Sequence, residues 1–397
     1  MNVLVINCGS SSLKFQLIDG VSEKELAKGI CDRIGIDGFL SYQAAGQDKI
    51  KKELEMPNHT VAIHHVLESL TNKEYGVVKS LNEIAAVGHR IVHGGEAVSD
   101  SVLLTEDVMG KIEVCSELAP LHNPANMIGI RACMEELPNV KMVGVFDTAF
   151  HQTIPEKAFL YGIPYSYYKE HKIRRYGFHG TSHDYVSKRA VEFAGMKRED
   201  SKVIVCHLGN GASISAVLNG KSVDTSMGFT PLEGLLMGTR SGDLDPAIVE
   251  FIANKEGKSV AEIINVFNKE SGVLGVSELS SDFRDLEDAS KAGDERAIRA
   301  LEVYAYRIAK YIGSYMMAMG GVDIIAFTAG IGENDGGVRA MVGKYLEPFG
   351  TNVNTTKNQV RGEEVILSDD GSKILTMIIP TNEELAIARA TMEVISK

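Results

Sequence analysis

VLVINCGSSSLKFQLIDG, residues 3–20, aligns without a gap onto VIVCHLGNGASISAVLNG, residues 203–220. Val3, Val5, Gly9 and Gly20 recur as Val203, Val205, Gly209 and Gly220, with apolar character shared at positions between them. Each copy reads as an apolar strand, a turn of Gly, Ser or Asn, and a second strand. Turns of that composition tolerate positive φ, which a tight β-hairpin requires. Two such hairpins, half a chain apart, predict a duplicated fold in which one hairpin opens each half.

Further β-rich runs lie outward from the hairpins. Val3–Ile6 and Val203–Cys206 are joined by Ile84–Val87, Met142–Phe146, Ile324–Phe327 and Leu375–Ile379. Short continuous apolar runs between helical stretches read as strands buried on both faces. Asn7, Arg90, Asp147, His207, Gly330 and Glu383 each stand at or just past a run's carboxyl end. In open α/β sheets that is where ligands bind. Ala297, Leu301, Tyr304, Ile308 and Ile312 give Asp294–Met319 a helical period that Gly320–Gly321 ends. Leu385, Ala388, Met392 and Ile395 mark a closing helix.

A chain of 397 residues exceeds one ordinary core, so two domains are expected. We place them at 1–150 and 151–383, with a C-terminal helix, 384–397, packing back on the first. Composition, 44% hydrophobic and 24% charged, is that of a globular protein. The net charge of −12 argues against a nucleic-acid partner, which needs a basic face. No apolar run is long enough to span a bilayer, so no membrane role is expected. Met1–Ile6 lacks the basic start of a signal peptide. Five scattered cysteines without a CxxC pair fit a reducing cytoplasm.

The chemistry-bearing residues fall in six groups. Asn7–Lys14 and Gly209–Ser213 are small-residue turns that let backbone N–H groups approach phosphate oxygens. Neither is a Walker A loop, and an ordinary hairpin turn would use the same residues. Ala329–Asn334 follows a strand but fails G-x-G-x-x-G at Asp335, which disfavours a dinucleotide site. Arg90 and Arg240, in Gly88–Arg90 and Thr239–Asp243, suit carboxylate and phosphate; a surface ion pair is the plainer reading of either alone. His179 and His183 are four apart, yet the Glu of H-E-x-x-H and a third ligand are missing, which leaves zinc unsupported. A histidine between Phe178 and Gly180 reads better as a donor to a phosphoryl group. Asp147 and Glu383 are carboxylates of the kind that hold Mg²⁺ for phosphoryl transfer, although Glu383 in the first turn of a helix also reads as a dipole partner.

NCGSSSLK, GFHGTSHDYV, GNGAS, GTRSGDLDP and GIGEN together resemble the acetate kinases and their propionate-kinase relatives, from Asn7 to Glu383. The resemblance implies α/β architecture: two duplicated actin-like (ribonuclease H-like) domains with a nucleotide cleft between them. It implies ATP-dependent phosphorylation of acetate to acetyl phosphate, with Mg²⁺, replaceable by Mn²⁺, in a cytoplasmic homodimer. Carried over residue by residue, Arg90, Asp147, His179 and Arg240 would be catalytic, and Asn7 and Glu383 would hold the metal. Arg90, Val92, Leu121, Phe178 and Pro231 would bind acetate, with His122 in support. Lys14, His207, Leu208, Gly209, Asn210 and Gly211 would face the phosphates. Asp282, Phe283, Arg284, Gly330, Ile331, Gly332 and Asn334 would hold the adenosine.

Chemistry agrees with such an activity. A carboxylate is already a nucleophile, so catalysis reduces to alignment and charge neutralisation. Three rivals stay open. A kinase for propionate or butyrate would differ by methylenes, each worth about 1–3 kcal/mol in an apolar pocket. An Hsp70- or actin-like ATPase acting through a partner would share the hairpins but not need paired arginines. A sugar kinase would need a base, which Asp147 has the chemistry to supply.

Overall fold

The structure, a computed structural model, describes residues 1–120 and 122–397. It divides into two units, Met1–Phe150 with Asn382–Lys397, and His151–Thr381.

The first unit is built on an eight-stranded mixed sheet. Its strands are β1 (Asn2–Cys8), β2 (Ser12–Asp19), β3 (Glu25–Asp32), β4 (Phe39–Ala44), β5 (Ile50–Glu53), β6 (Ile84–Ile91), β7 (Val102–Leu103) and β8 (Lys141–Phe146). Their order is β5-β4-β3-β2-β1-β6-β8-β7. One face, with Leu4, Ile6, Leu13 and Leu17, packs in a core with residues of helices His59–Leu70 and Asn123–Glu136. The other, with Val3, Val5, Val143 and Val145, is covered by Ile387 and Ala388 of helix Glu383–Ser396. Residues of opposite parity thus fill opposite faces, as the pleat requires. The closing helix comes close to β6. A Cβ on Gly88 would collide with Thr391 Oγ1 and lie 2.8 Å from Ile387 Cγ2.

The second unit holds a six-stranded sheet of β9 (Lys202–Leu208), β10 (Ala212–Leu218), β11 (Lys221–Thr225), β12 (Ile324–Thr328), β13 (Val365–Ile366) and β14 (Leu375–Ile378). The order is β11-β10-β9-β12-β14-β13. Helix Glu295–Met319 starts at Asp294, whose side chain accepts from the Arg296 N–H, and stops at Gly320 in the left-handed conformation.

Both sheets share one plan: a three-stranded antiparallel meander whose first strand pairs in parallel with a later strand, which in turn pairs in parallel with another. The duplicated actin-like α/β class expected from the sequence holds. The gapless hairpin alignment needs a correction, however. Cys8 pairs with Leu13 across four residues, Gly9–Ser12, whereas Leu208 pairs with Ala212 across three, Gly209–Gly211. The first turn is one residue longer, so positions after the turns are equivalent only with a one-residue gap. The glycine matches aligned the turns while concealing the register.

All five cysteines are buried and unbridged. Burial pushes the Cys8 and Cys31 thiols up to about 12. No helix among the described residues is long and apolar enough to cross a membrane.

Candidate active site

In the first unit, Arg90 lies near the end of β6 and Asp147 just past the end of the adjacent β8. Arg90 donates from Nε to Asp147 Oδ1 at 3.1 Å and from Nη2 to Oδ2 at 2.7 Å. This two-pronged pair is the strong form of arginine–carboxylate contact. Asp147 is buried, and its backbone N–H donates to Ile91 O. The Asp147 charge holds the Arg90 guanidinium firmly protonated, with Glu383 adding to the effect.

Glu383 opens the C-terminal helix, where Asn382 accepts from the Leu385 N–H as the cap. Its Oε2 is buried with no hydrogen-bond partner. Burial pushes its carboxyl up to about 7, Arg90 opposes the rise, and Asp147 and Glu384 add to it. A buried carboxylate oxygen that no protein group donates to has the chemistry to ligate a cation. Asp147 differs, since Arg90 occupies both its oxygens. Asn7 stands in β1 opposite Lys14, half-buried. Glu383 thus fits a hard divalent cation by its chemistry, and the Asn7 amide oxygen is a donor of the same kind. No group of three or more His, Cys, Asp or Glu that could hold a metal ion occurs among the described residues. Val92 is half-buried, and its N–H donates to Asn126 Oδ1. His122 is exposed just ahead of helix Asn123–Glu136. Leu121 lies outside the described residues.

In the second unit, Arg240 is half-buried, and among the described residues its Nη1 meets only Pro231 O at 3.4 Å and Met237 Sδ at 3.9 Å. Among the described residues of this unit no carboxylate pairs with it, and burial lowers its pKa. A Cβ on Gly211 would sit 3.4 Å from Arg240 Nη1 and 3.8 and 3.9 Å from His179 Cε1 and Nε2. One unpaired cation and one imidazole edge thus converge over the Gly209–Gly211 turn. Packing of the two loops holds this arrangement: Gly238 N–H donates to Asn210 O at 2.9 Å, and a side chain at Gly238 would overlap the Asn210 amide.

His179 takes a left-handed backbone, φ 57°, immediately before helix Gly180–Phe193. That conformation is costly for a residue other than glycine and collects at functional sites. His207, in β9, stacks on His179 with ring centroids 4.1 Å apart and reaches Ser182 Oγ through Nδ1 at 2.8 Å. Phe178 is buried, and its carbonyl lies 3.0 Å from His151 Nε2. Both His183 ring nitrogens meet serine hydroxyls, which closes the zinc reading of His179 and His183.

A cavity of about 580 Å³ in this unit is lined by Asn210, Asp282, Phe283, Arg284, Gly330, Ile331 and Asn334. Two stretches expected to hold the adenosine, Asp282–Arg284 and Gly330–Asn334, thus line one cavity together with Asn210, which was expected at the phosphates. Asp282 caps helix Phe283–Lys291 and pairs with Arg284. Ser281, Glu287, Asp335 and Arg361 also line the cavity and were missed. Lys14 is not among its lining residues; it lines a separate cavity of about 250 Å³ in the first unit. His207, Leu208, Gly209, Gly211 and Gly332 do not line the larger cavity either. Sequence reading also missed Glu333, whose Oε1 accepts from Ala329 N, Thr328 Oγ1 and Thr381 N and so pins Ala329–Asn334, which the structure shows as a short helix and not a turn. Its signal was faint, a carboxylate inside a glycine-rich stretch.

Residues 2–389 match the model of the acetokinase family. The chain is 62% identical over 395 residues to the acetate kinase of Lachnoclostridium phytofermentans, covering 100% of both. Its structure is similar to that of Porphyromonas gingivalis acetate kinase, with TM-score 0.96, 48% identity and 99% of each chain covered. It is also similar to a propionate kinase from Francisella tularensis, with TM-score 0.92, 42% identity and 99% of each covered.

Proposed function

The chain belongs to the acetokinase family, and from that premise we propose that it is an ATP-dependent kinase that phosphorylates acetate, releasing acetyl phosphate and ADP. The observation that carries the reading is Arg240, a half-buried cation without a carboxylate beside His179 and a phosphate-type turn. Such a group costs stability unless an anion visits it.

The chemistry is an in-line displacement. An acetate oxygen attacks the γ-phosphorus of ATP, the bond from phosphorus to the β,γ-bridging oxygen breaks, and ADP leaves. No base is needed, because the nucleophile is already an anion. Arg240 neutralises charge on the transferring phosphoryl, and His179 donates to it. Arg90, held rigid by Asp147, orients the carboxylate. Val92, Leu121, Phe178 and Pro231 take the methyl group, with His122 in support. Asn210 and Gly211 meet the phosphates through the turn, with His207, Leu208, Gly209 and Lys14 as further contacts. Asp282, Phe283, Arg284, Gly330, Ile331, Gly332 and Asn334 take the adenosine. Glu383 and Asn7 would hold Mg²⁺, or Mn²⁺ in its place, which when bound neutralises phosphate charge. A cytoplasmic homodimer completes the proposal; sedimentation of the purified chain tests the dimer.

Propionate is the second reading, favoured by the likeness to a propionate kinase. An acyl-hydroxamate assay decides between them. Protein, ATP, Mg²⁺ and hydroxylamine are mixed with acetate, propionate or butyrate, and ADP is followed alongside. A maximum with acetate supports the reading, and a maximum with propionate changes only the substrate. ADP release without hydroxamate overturns carboxylate phosphorylation.

A further inference from the structure

We propose that Ser213, His183 and Ser215 form a buried hydrogen-bond relay that holds His179 as the tautomer protonated on Nε2. The ring then offers an N–H, not a lone pair, on the side facing Gly211 and Arg240. The proposal rests on the reading of His179 as a phosphoryl donor.

The chain of contacts is short. His179 Nδ1 lies 2.8 Å from Ser213 Oγ, Ser213 Oγ lies 2.7 Å from His183 Nε2, and His183 Nδ1 lies 2.8 Å from Ser215 Oγ. Ser213, His183 and Ser215 are all at 0% exposure, so water cannot substitute for any link. Ser213 and Ser215 stand two apart in β10 and so project from one face; His179 and His183 stand four apart where helix Gly180–Phe193 begins. Strand and helix therefore present alternating serine and imidazole.

Proton counting gives the relay a direction. Each serine owns one hydrogen, and neutral imidazole owns one N–H. Burial, with the His151 and His207 rings nearby, keeps His183 neutral. Among the described residues, Ser215 Oγ meets no partner except His183 Nδ1. If His183 donated to Ser215, the Ser215 hydrogen would be buried without an acceptor, which folded proteins avoid. Ser215 therefore donates to His183 Nδ1, and His183 Nε2–H donates to Ser213. Ser213 then donates its own hydrogen to His179 Nδ1. His179 is left with its proton on Nε2, the edge 3.9 Å from the Gly211 Cβ position. His207 does not compete, because its Nδ1 uses a different hydroxyl, Ser182. Ser213, His183 and Ser215 are thus positioning residues acting through His179.

The test is long-range ¹H–¹⁵N correlation on the full chain labelled with [¹⁵N]histidine, which distinguishes the two neutral tautomers. His179 signals are identified by their loss in His179→Gln. The wild type should show His179 as the Nε2–H form, and an Nδ1–H form overturns the relay without any variant having to fold. Ser213→Ala should mix the tautomers and lower kcat by about tenfold while leaving KM for ATP and for acetate within about twofold. Ser213→Thr, which returns a hydroxyl, should restore both. A fall in kcat with an unchanged His179 spectrum makes Ser213 a packing residue and overturns the proposal. Full activity in His179→Gln instead refutes the donor role of His179, while the wild-type spectrum still judges the relay.

Discussion

Arg90 gives both prongs of its guanidinium to Asp147, whereas Arg240 meets one carbonyl and one sulfur. The first is held more firmly protonated than an ordinary arginine, and the second less so. The same side chain therefore serves two purposes. A paired arginine is a rigid shape with much of its charge already answered, suited to orienting a small acid. An unpaired one in a half-buried place keeps its charge for whatever anion arrives, and the fold bears the desolvation. Stability and catalysis should consequently separate between the two.

The sharpest test of that separation is Arg240→Ala. Loss of a cation that stabilises a transferring phosphoryl typically costs about 10³-fold or more in rate. Turnover in the hydroxamate assay should fall accordingly, while the thermal midpoint stays level or rises, because an uncompensated charge has been removed. A large drop in thermal midpoint would break the comparison. Arg90→Ala should behave in the opposite way for stability. It strands Asp147 as a buried, unpaired carboxylate, and urea unfolding should register a loss of about 3 kcal/mol, the lower end for a broken buried pair. The low end applies because the Arg90 side chain keeps 25% exposure.

Glu383 supplies a third contrast, an anion without a cation where Arg240 is a cation without an anion. Its carboxyl is raised from 4.5 to about 7 by burial. The folded state thus keeps a proton that the unfolded chain releases, and stability is lost as pH rises through that window. Glu383→Gln escapes this loss. In metal-free buffer at pH ~8 it should exceed the wild type by on the order of 2 kcal/mol, an advantage that fades toward pH ~4. Urea titrations at both values check it, and Mg²⁺ should stabilise the wild type alone. The smallest effect concerns what brings Glu383 to Arg90. Gly88→Ala forces a methyl against Thr391 and Ile387, and overpacking there should cost about 1–2 kcal/mol.

Much of this was legible in the residues. Apolar runs marked the central strands because strands buried on both faces leave no polar alternation to confuse with a surface. Arg90, Asp147 and Glu383 were found as polar residues at strand ends. Asp282 and Gly330, singled out from separate stretches, line one cavity, and Asn210, singled out for the phosphates, lines it too. Arg361 and Glu287 were invisible, since a cavity wall carries no periodicity. Ser213 and Ser215 left a signal that went unused: two hydroxyls alternating inside an apolar strand must find partners once buried.

By itself the sequence determined the duplicated α/β plan, the strand ends and the residue types for phosphoryl chemistry, because periodicity, turn composition and side-chain chemistry are local properties. Only the tertiary structure decided that Asp147 serves Arg90 while Glu383 Oε2 stands unmatched, and that the first hairpin turn is one residue longer than the second. Pairing and register follow from which backbones come close, and burial turns those proximities into charge states that no stretch of residues encodes alone.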